Sequence, residues 1–262
     1  MTSNVQGRDA AGQKDLSIED PQGPGKQYSR LFGALFLAGF LVYGIGFGLV
    51  SSVTTAPDFL STLSAHSTTL LVGAFLMLLN TVVDIGKGVL FFPIAERRGK
   101  RTALVYLAAI TVQVVLLDLG VLFLLMLVPL TEFVSGASSG WATGLGSLLT
   151  QANTVAFEIG QGTLGFGALF MTWFLFRARL VPRTLAAWGV IGYTIHTAVA
   201  VAEIFGIHIG LLLSLPGGFF ELALGFWLIA KGFNSVVSTN RAGHVAGSRP
   251  AQPAEAPIRA TA

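Results

Sequence analysis

The 262-residue chain has no cysteine, and only 11% of its residues are charged. The first absence removes disulfides, thiolate nucleophiles and cysteine-held metal sites together, and it leaves redox compartment unreadable from thiols. The second sets the chain apart from soluble globular domains, in which roughly a quarter of residues carry charge. Period-two alternation, the mark of membrane-barrel strands, is missing as well. What stands in its place is a set of uninterrupted apolar runs rich in Leu, Ala, Gly and Phe, with a mean hydropathy of +0.71.

Six runs reach the length of about 20 mostly apolar residues that an α-helix needs to cross the hydrocarbon layer. They are Leu31 to Val53, Thr69 to Ile94, Thr102 to Pro129, Asn153 to Phe176, Thr184 to Phe205 and Ile209 to Ala230. The sequence therefore predicts an all-α integral membrane bundle of six transmembrane helices over residues 30–233. The flanks, 1–29 and 234–262, are polar, rich in Gly, Pro and Ala, and lack an apolar stripe. They cannot bury enough surface to offset their ordering entropy, which predicts disordered tails. The first run is too long for a signal-peptide core and has no small-residue cleavage pattern after it, so it is expected to be retained. Three spans per half would give two halves of opposite orientation, although no residue-level repeat is visible.

Lysine and arginine are also missing from particular places. The connections after the first, third and fifth runs contain neither residue, whereas all but Lys87 of the 16 basic residues lie before the first run or after the second, fourth and sixth. Arg97, Arg98, Lys100 and Arg101 form one such group, and Arg177, Arg179 and Arg183 another. This alternation is the positive-inside pattern, and it places both termini in the cytoplasm. The formal charge of +3 is then explained by topology and anionic headgroups, so the partner is the lipid bilayer and no nucleic acid is called for.

Three motif matches fail on context. GQGTLG, Gly160 to Gly165, fits a dinucleotide fingerprint, but that motif needs a strand turning into a helix, and here it lies inside a spanning run. Helix-packing glycines fit better, as they do for GIGFG, Gly44 to Gly48. GASSG, Gly136 to Gly140, fits a nucleophile elbow but sits in a Gly/Ser-rich outer connection, read as flexible. A phosphate loop is not completed at Lys87, which is followed by Gly88. No cofactor is named by any of them.

The polar residues inside the runs carry the chemistry. Asn80, Asp84 and Lys87 follow one another at spacings of four and three, on one helical face, where the charges can neutralise each other. A charge near the bilayer centre costs at least about 2.5 kcal/mol, so such residues pair, face a bundle interior or line water. Lys87 is also close enough to the cytoplasmic end to snorkel. Gln113 and Asp118 lie in the third run, Glu158 and Gln161 in the fourth, His196 and Glu203 seven apart in the fifth, and Glu221 in the sixth. Convergence of these groups would build one polar cavity open toward the outside, a path for a small solute or a proton. Its candidate lining is Asn80, Asp84, Lys87, Asp118, Glu158, His196 and Glu221. The competing reading is a purely structural set that locks helices together. Of the four histidines, His66 and His208 lie in outer connections and His244 in the tail, so no multi-histidine zinc site is supported. Trp141, Trp173, Trp188 and Trp227 fall near predicted helix ends, as interfacial anchors do.

Two stretches, FRARLVPRTLAAWGVIGY (176–193) and PGGFFELALGFWLIAKG (216–232), resemble the bacterial multi-pass membrane family of domain of unknown function 4386. The resemblance rests on Arg177, Pro182, Arg183, Gly192 and Tyr193 in the first, and on Glu221, Leu222, Trp227, Lys231 and Gly232 in the second. It implies a helical fold in a bacterial cytoplasmic membrane, and no activity. Members often carry a histidine in the fourth helix, where this chain has Gly167 or Ala168, and an aspartate three positions after the Gly-Tyr pair, where it has His196. Three functions stay open on the sequence: binding or transport of a small solute or proton, a non-catalytic scaffold or sensor, and an intramembrane enzyme acting on lipid with carboxylates and His196 as acid and base. The last lacks an evident nucleophile. Cofactor and oligomeric state stay open too.

Overall fold

A computed structural model describes residues 25–56, 59–132, 140–207 and 211–234, and every element among them is helical. The first helix, α1 (Lys26–Thr54), begins before the apolar run does and takes in residues 26–29, which the sequence assigns to a tail. Its polar first turn has partners on neighbouring helices. The Tyr28 hydroxyl donates to the Leu90 carbonyl at 2.6 Å, and Arg30 Nε donates to the Ile229 carbonyl at 3.2 Å. The rest of the predicted disordered tails, 1–24 and 235–262, lies outside the described residues.

After the short α2 (Phe59–Ala65), α3 runs from Ser67 to Leu125 with one non-helical residue inside, Gly99. Its two arms lie antiparallel: Gln113 reaches Asp84, a side chain at Gly88 would touch Ile110, and Phe91 meets Tyr106 edge-on at 5.0 Å. The second and third predicted helices are thus one hairpin whose turn is a single glycine, packed against Phe174. A short α4 (Leu127–Glu132) continues the second arm.

The next helix, α5 (Gly140–Ala178), is 39 residues long. It begins thirteen residues before the predicted start at Asn153, so WATGLGSLLTQ is helix and not flexible connection. The reason lies in the small residues that suggested a loop: Ala142 is fully buried in an apolar cluster and Gly146 is buried with it, while Trp141, Leu145 and Leu148 recur on the outward face. The remainder of GASSG, 136–139, lies outside the described residues. Arg179 ends α5 with a left-handed φ of 53°, and Leu180 N–H reaches back to the Leu175 carbonyl at 3.3 Å, the hydrogen bond of a Schellman cap. Then come α6 (Arg183–Ile204), a 3₁₀ turn (Leu211–Ser214) and α7 (Leu215–Ala230).

Among the described residues, five stretches are long and apolar enough to cross a membrane: Lys26–Thr54, Ser67–Glu96, Arg98–Glu132, Gly140–Ala178 and Arg183–Ile204. The sixth expected helix is split, because α7 has only 16 residues, about 24 Å of helix against a layer of about 30 Å.

The helices close a circuit. α1 packs on α3 and α7, α3 on α5, α5 on α6, and α6 on α7. Two apolar clusters fill it, one around Phe32, Phe91, Phe174 and Phe220, the other around Val53, Leu70, Leu124 and Leu130. Leu41, Phe75, Val82, Val115, Leu148 and Phe226, each more than 60% exposed, point outward. An apolar exterior of this extent on a soluble monomer would be an interaction surface; on a membrane bundle it is the face that lipid wets.

Glycines set the closest crossings. A side chain at Gly33 would come 2.7 Å from the Gly225 carbonyl, and one at Gly46 would come 2.8 Å from that of Gly73. The expected packing pair Gly44 and Gly48 has nothing within 4 Å; it lies on the outward face, and Gly46, two residues on and so about 200° around the helix, is the one at the interface. Gly160 and Gly165 do pack, against Leu117 and Thr197.

This arrangement predicts opposite effects within one five-residue motif. Gly46→Ala should lower the thermal midpoint of the purified protein in detergent, while Gly44→Ala and Gly48→Ala should leave it unchanged or raise it, since alanine gains up to about 1 kcal/mol over glycine in a helix. Equal effects at all three positions would contradict the assigned interface.

Candidate functional site

Between the two apolar clusters, the interior of the ring is polar. Asn80, Asp84 and Lys87 all lie on the inward face of the first arm of α3, at 5–7% exposure. The Asp84 carboxylate accepts from Lys87 Nζ at 2.8 Å and from Asn80 Nδ2 at 2.9 Å. Gln113 Nε2, from the second arm, approaches it at 3.5 Å. Lys87 therefore turns inward and does not snorkel. Its ammonium lies 5.0 Å from the centre of the buried Phe36 ring and 4.0 Å from Glu221 Oε2 of α7. Gly39 of α1 leaves the room it occupies, since a side chain there would come 2.9 Å from Lys87 Nζ and 3.2 Å from Asn80 Oδ1.

Glu221 is held from its other side by Tyr193 of α6, whose hydroxyl donates to Oε1. The two stretches that carry the family resemblance thus meet in a hydrogen bond, and a side chain at Gly192 would meet Gly217 Cα at 3.1 Å. Gly232 also has a structural reason: it sits at the end of α7 with φ 75°, a conformation that favours glycine.

A cavity of about 300 Å³ lies beside this cluster. From α5 it takes Asn153, Phe157, Glu158 and Gln161; from α6, His196 and Glu203; from α1, Tyr43 and Phe47. His196 Nε2 lies 3.1 Å from Gln161 Oε1, and its ring meets Tyr193 edge-on at 6.1 Å. His196 is thus the side chain that touches both the cavity and the Tyr193 that grips Glu221.

The single polar cavity expected from the sequence is therefore two adjoining features. Asn80, Asp84, Lys87 and Glu221 form the buried cluster; Glu158 and His196 line the cavity. Asp118 joins neither. It is five residues beyond Gln113, which turns it about 140° away on the helix, and it lies beside Thr81. Its Oδ1 is buried without a hydrogen-bond partner among the described residues. Gly167 and Ala168, the positions at which the resemblance led to the expectation of a histidine, are buried, and Gly167 packs on Ala109. Of the tryptophans, Trp141, Trp173 and Trp188 are exposed as interfacial anchors would be, whereas Trp227 packs on the core.

Sequence reasoning missed Tyr193 as a member of this site, although it stands three residues before His196 and so shares its face. Phe36, Gly39 and Tyr43 carried no comparable signal, because each acts through a neighbour on another helix.

These elements define an all-helical, multi-pass membrane protein with a charged cluster sealed inside its bundle. The chain belongs to the family described as domain of unknown function (DUF4386), whose model matches residues 31–232. No curated protein and no solved structure matches it.

Removing one partner of a buried ion pair leaves the other uncompensated, at a cost of about 3–5 kcal/mol. Lys87→Met should therefore lower the unfolding free energy in mixed micelles by about that amount, and adding Asp84→Asn should recover part of it. A double variant no better than the sum of the single ones would show that the pair is not coupled.

Proposed function

We propose that this protein binds and moves a small solute or a proton through the interior of a six-span bundle. Its two termini are cytoplasmic, and it resides in a bacterial cytoplasmic membrane. The 3₁₀ turn and α7 together make the sixth crossing, with the outer end of α7 thinned to a turn beside the cavity. The orientation rests on the absence of Lys and Arg from the connections after the first, third and fifth spans.

One observation carries the functional reading. A cavity with Glu158, Gln161 and His196 on its wall adjoins a buried charged cluster, and His196 and Tyr193 stand between them. Ionisable groups are costly at such depth and mark solute paths or proton relays in membrane proteins. A static lock accounts for the contacts that Gln113 and Glu221 bring to Asp84 and Lys87 from elsewhere in the bundle; it gives no role to a cavity whose wall meets Tyr193 through His196. The saturated shell of Asp84, with Asn80, Lys87 and Gln113 around one carboxylate, favours a second reading, a scaffold in which the cluster only fixes helix positions.

Two measurements test these statements. The cysteine-free chain suits single-cysteine labelling. With Lys100→Cys and Ser64→Cys, both at exposed positions, an impermeant maleimide applied to intact spheroplasts should label position 64 and spare position 100. The reverse pattern would invert the topology. For function, proteoliposomes carrying a pH dye should respond to at least one of four solute pools (amines, carboxylates, sugars, amino acids) or to an imposed pH step more strongly than empty liposomes. Glu221→Gln should reduce the response several-fold. No response above empty liposomes, or full response from Glu221→Gln, Asp84→Asn and His196→Gln alike, would sink the transport reading in favour of the scaffold.

A further inference from the structure

We infer that the corner between α5 and α6 binds the headgroup of an anionic phospholipid, with an acyl chain laid along α5. Phe166, Phe170, Trp173 and Arg177 follow one another at spacings of four, three and four, so they form one stripe on that helix. All four are exposed. Phe166 and Phe170 meet edge-on at 5.2 Å, and the Arg177 guanidinium lies 5.8 Å from the centre of the Trp173 ring. The stripe thus runs from bare apolar rings through an indole to a cation. A phospholipid presents chain, interface and phosphate in that same order.

A second cation joins from α6. Trp173 stacks on Phe176 with centroids 5.8 Å apart, and the Arg183 guanidinium lies 5.7 Å from the centre of the Phe176 ring. Two guanidinium groups therefore rest on one stacked ring pair, which restricts them in advance and leaves their N–H edges for a phosphate. Phe176 itself packs on the core. The link 179–182 is pinned as well: Leu180 and Val181 are buried, and Asn234 donates its backbone N–H to the Leu180 carbonyl at 2.8 Å and its Nδ2 to the Arg179 carbonyl at 3.0 Å. The sign of the ligand follows from the surroundings. No Asp or Glu occurs between Glu158 and Glu203, and the exposed Arg179 adds a third positive charge to the corner. A free phosphate would engage the arginines alone, whereas a lipid phosphate brings a chain that covers Phe166 and Phe170 at the same time.

Trp173 reports on its own site. The full-length protein is reconstituted in phosphatidylcholine vesicles holding a small share of phosphatidylglycerol with brominated chains, which quench tryptophan on contact. Brominated phosphatidylcholine at the same share is the reference, and the contribution of Trp173 is the quenching lost in Trp173→Phe. That quenching should favour the anionic lipid at least about tenfold, and Arg177→Gln or Arg183→Gln should each lower the preference about fivefold. Lys26→Gln removes an equal charge at the same end of the bundle, from α1, and should change it less than about twofold. Retained quenching by the zwitterionic lipid in the arginine variants shows that their fold survives. Equal quenching by the two brominated lipids in the wild type would overturn the site. An equal loss in Lys26→Gln would overturn it too, leaving only the diffuse attraction of a basic surface. Displacement of the anionic lipid from Trp173 by inorganic phosphate at equal concentration would overturn the lipid assignment in favour of a free anion.

Discussion

The ammonium group of Lys87 is the constraint around which the rest is arranged. A full positive charge inside an apolar bundle is tolerated only with opposite charge at contact distance and with few competing groups. Asp84 supplies the first partner from the same helix, one turn back, and Glu221 the second from α7. Every other feature of the cluster serves these two carboxylates or the space between them. Asn80 and Gln113 occupy the free oxygen of Asp84, Tyr193 occupies that of Glu221, and Gly39 leaves the volume that Lys87 fills.

That arrangement explains why the ring must close. The carboxylates come from α3 and α7, which do not neighbour each other in the circuit; α1 lies between them on one side, α5 and α6 on the other. The glycine crossings Gly33 with Gly225 and Gly46 with Gly73 draw α1 against both at once, so packing by small residues and pairing of charge act in the same direction. In lipid, helices gain little from apolar burial itself, and close backbone approach together with polar contacts must supply specificity. The cavity beside the cluster is what this packing leaves unfilled among α1, α5 and α6.

Much of the fold was legible in residue order. Lengths of apolar runs give helices, because only a helix satisfies its own backbone in hydrocarbon. The i, i+4, i+7 spacing of Asn80, Asp84 and Lys87 gives their mutual contact, because residues at those spacings share a face whatever surrounds them. The loop expected around Trp141 was misread for a definite reason: glycine and alanine suggest turns in isolation, yet at a tight interface they are what lets a helix approach its neighbour, as Ala142 and Gly146 do. Gly44 and Gly48 mislead in the opposite sense, matching a packing motif while facing outward.

The sequence by itself determined that the chain is helical, that it is built for lipid, and that Asp84 neutralises Lys87, since each follows from composition or from spacing within a single helix. Only the tertiary structure decided that Glu221 shares Lys87, that Tyr193 grips Glu221, that Asp118 stands apart, and that His196 faces a cavity with Glu158. Those outcomes depend on the rotation of each helix about its own axis relative to its neighbours. That angle is fixed by contacts between residues far apart in the chain, and no local periodicity encodes it.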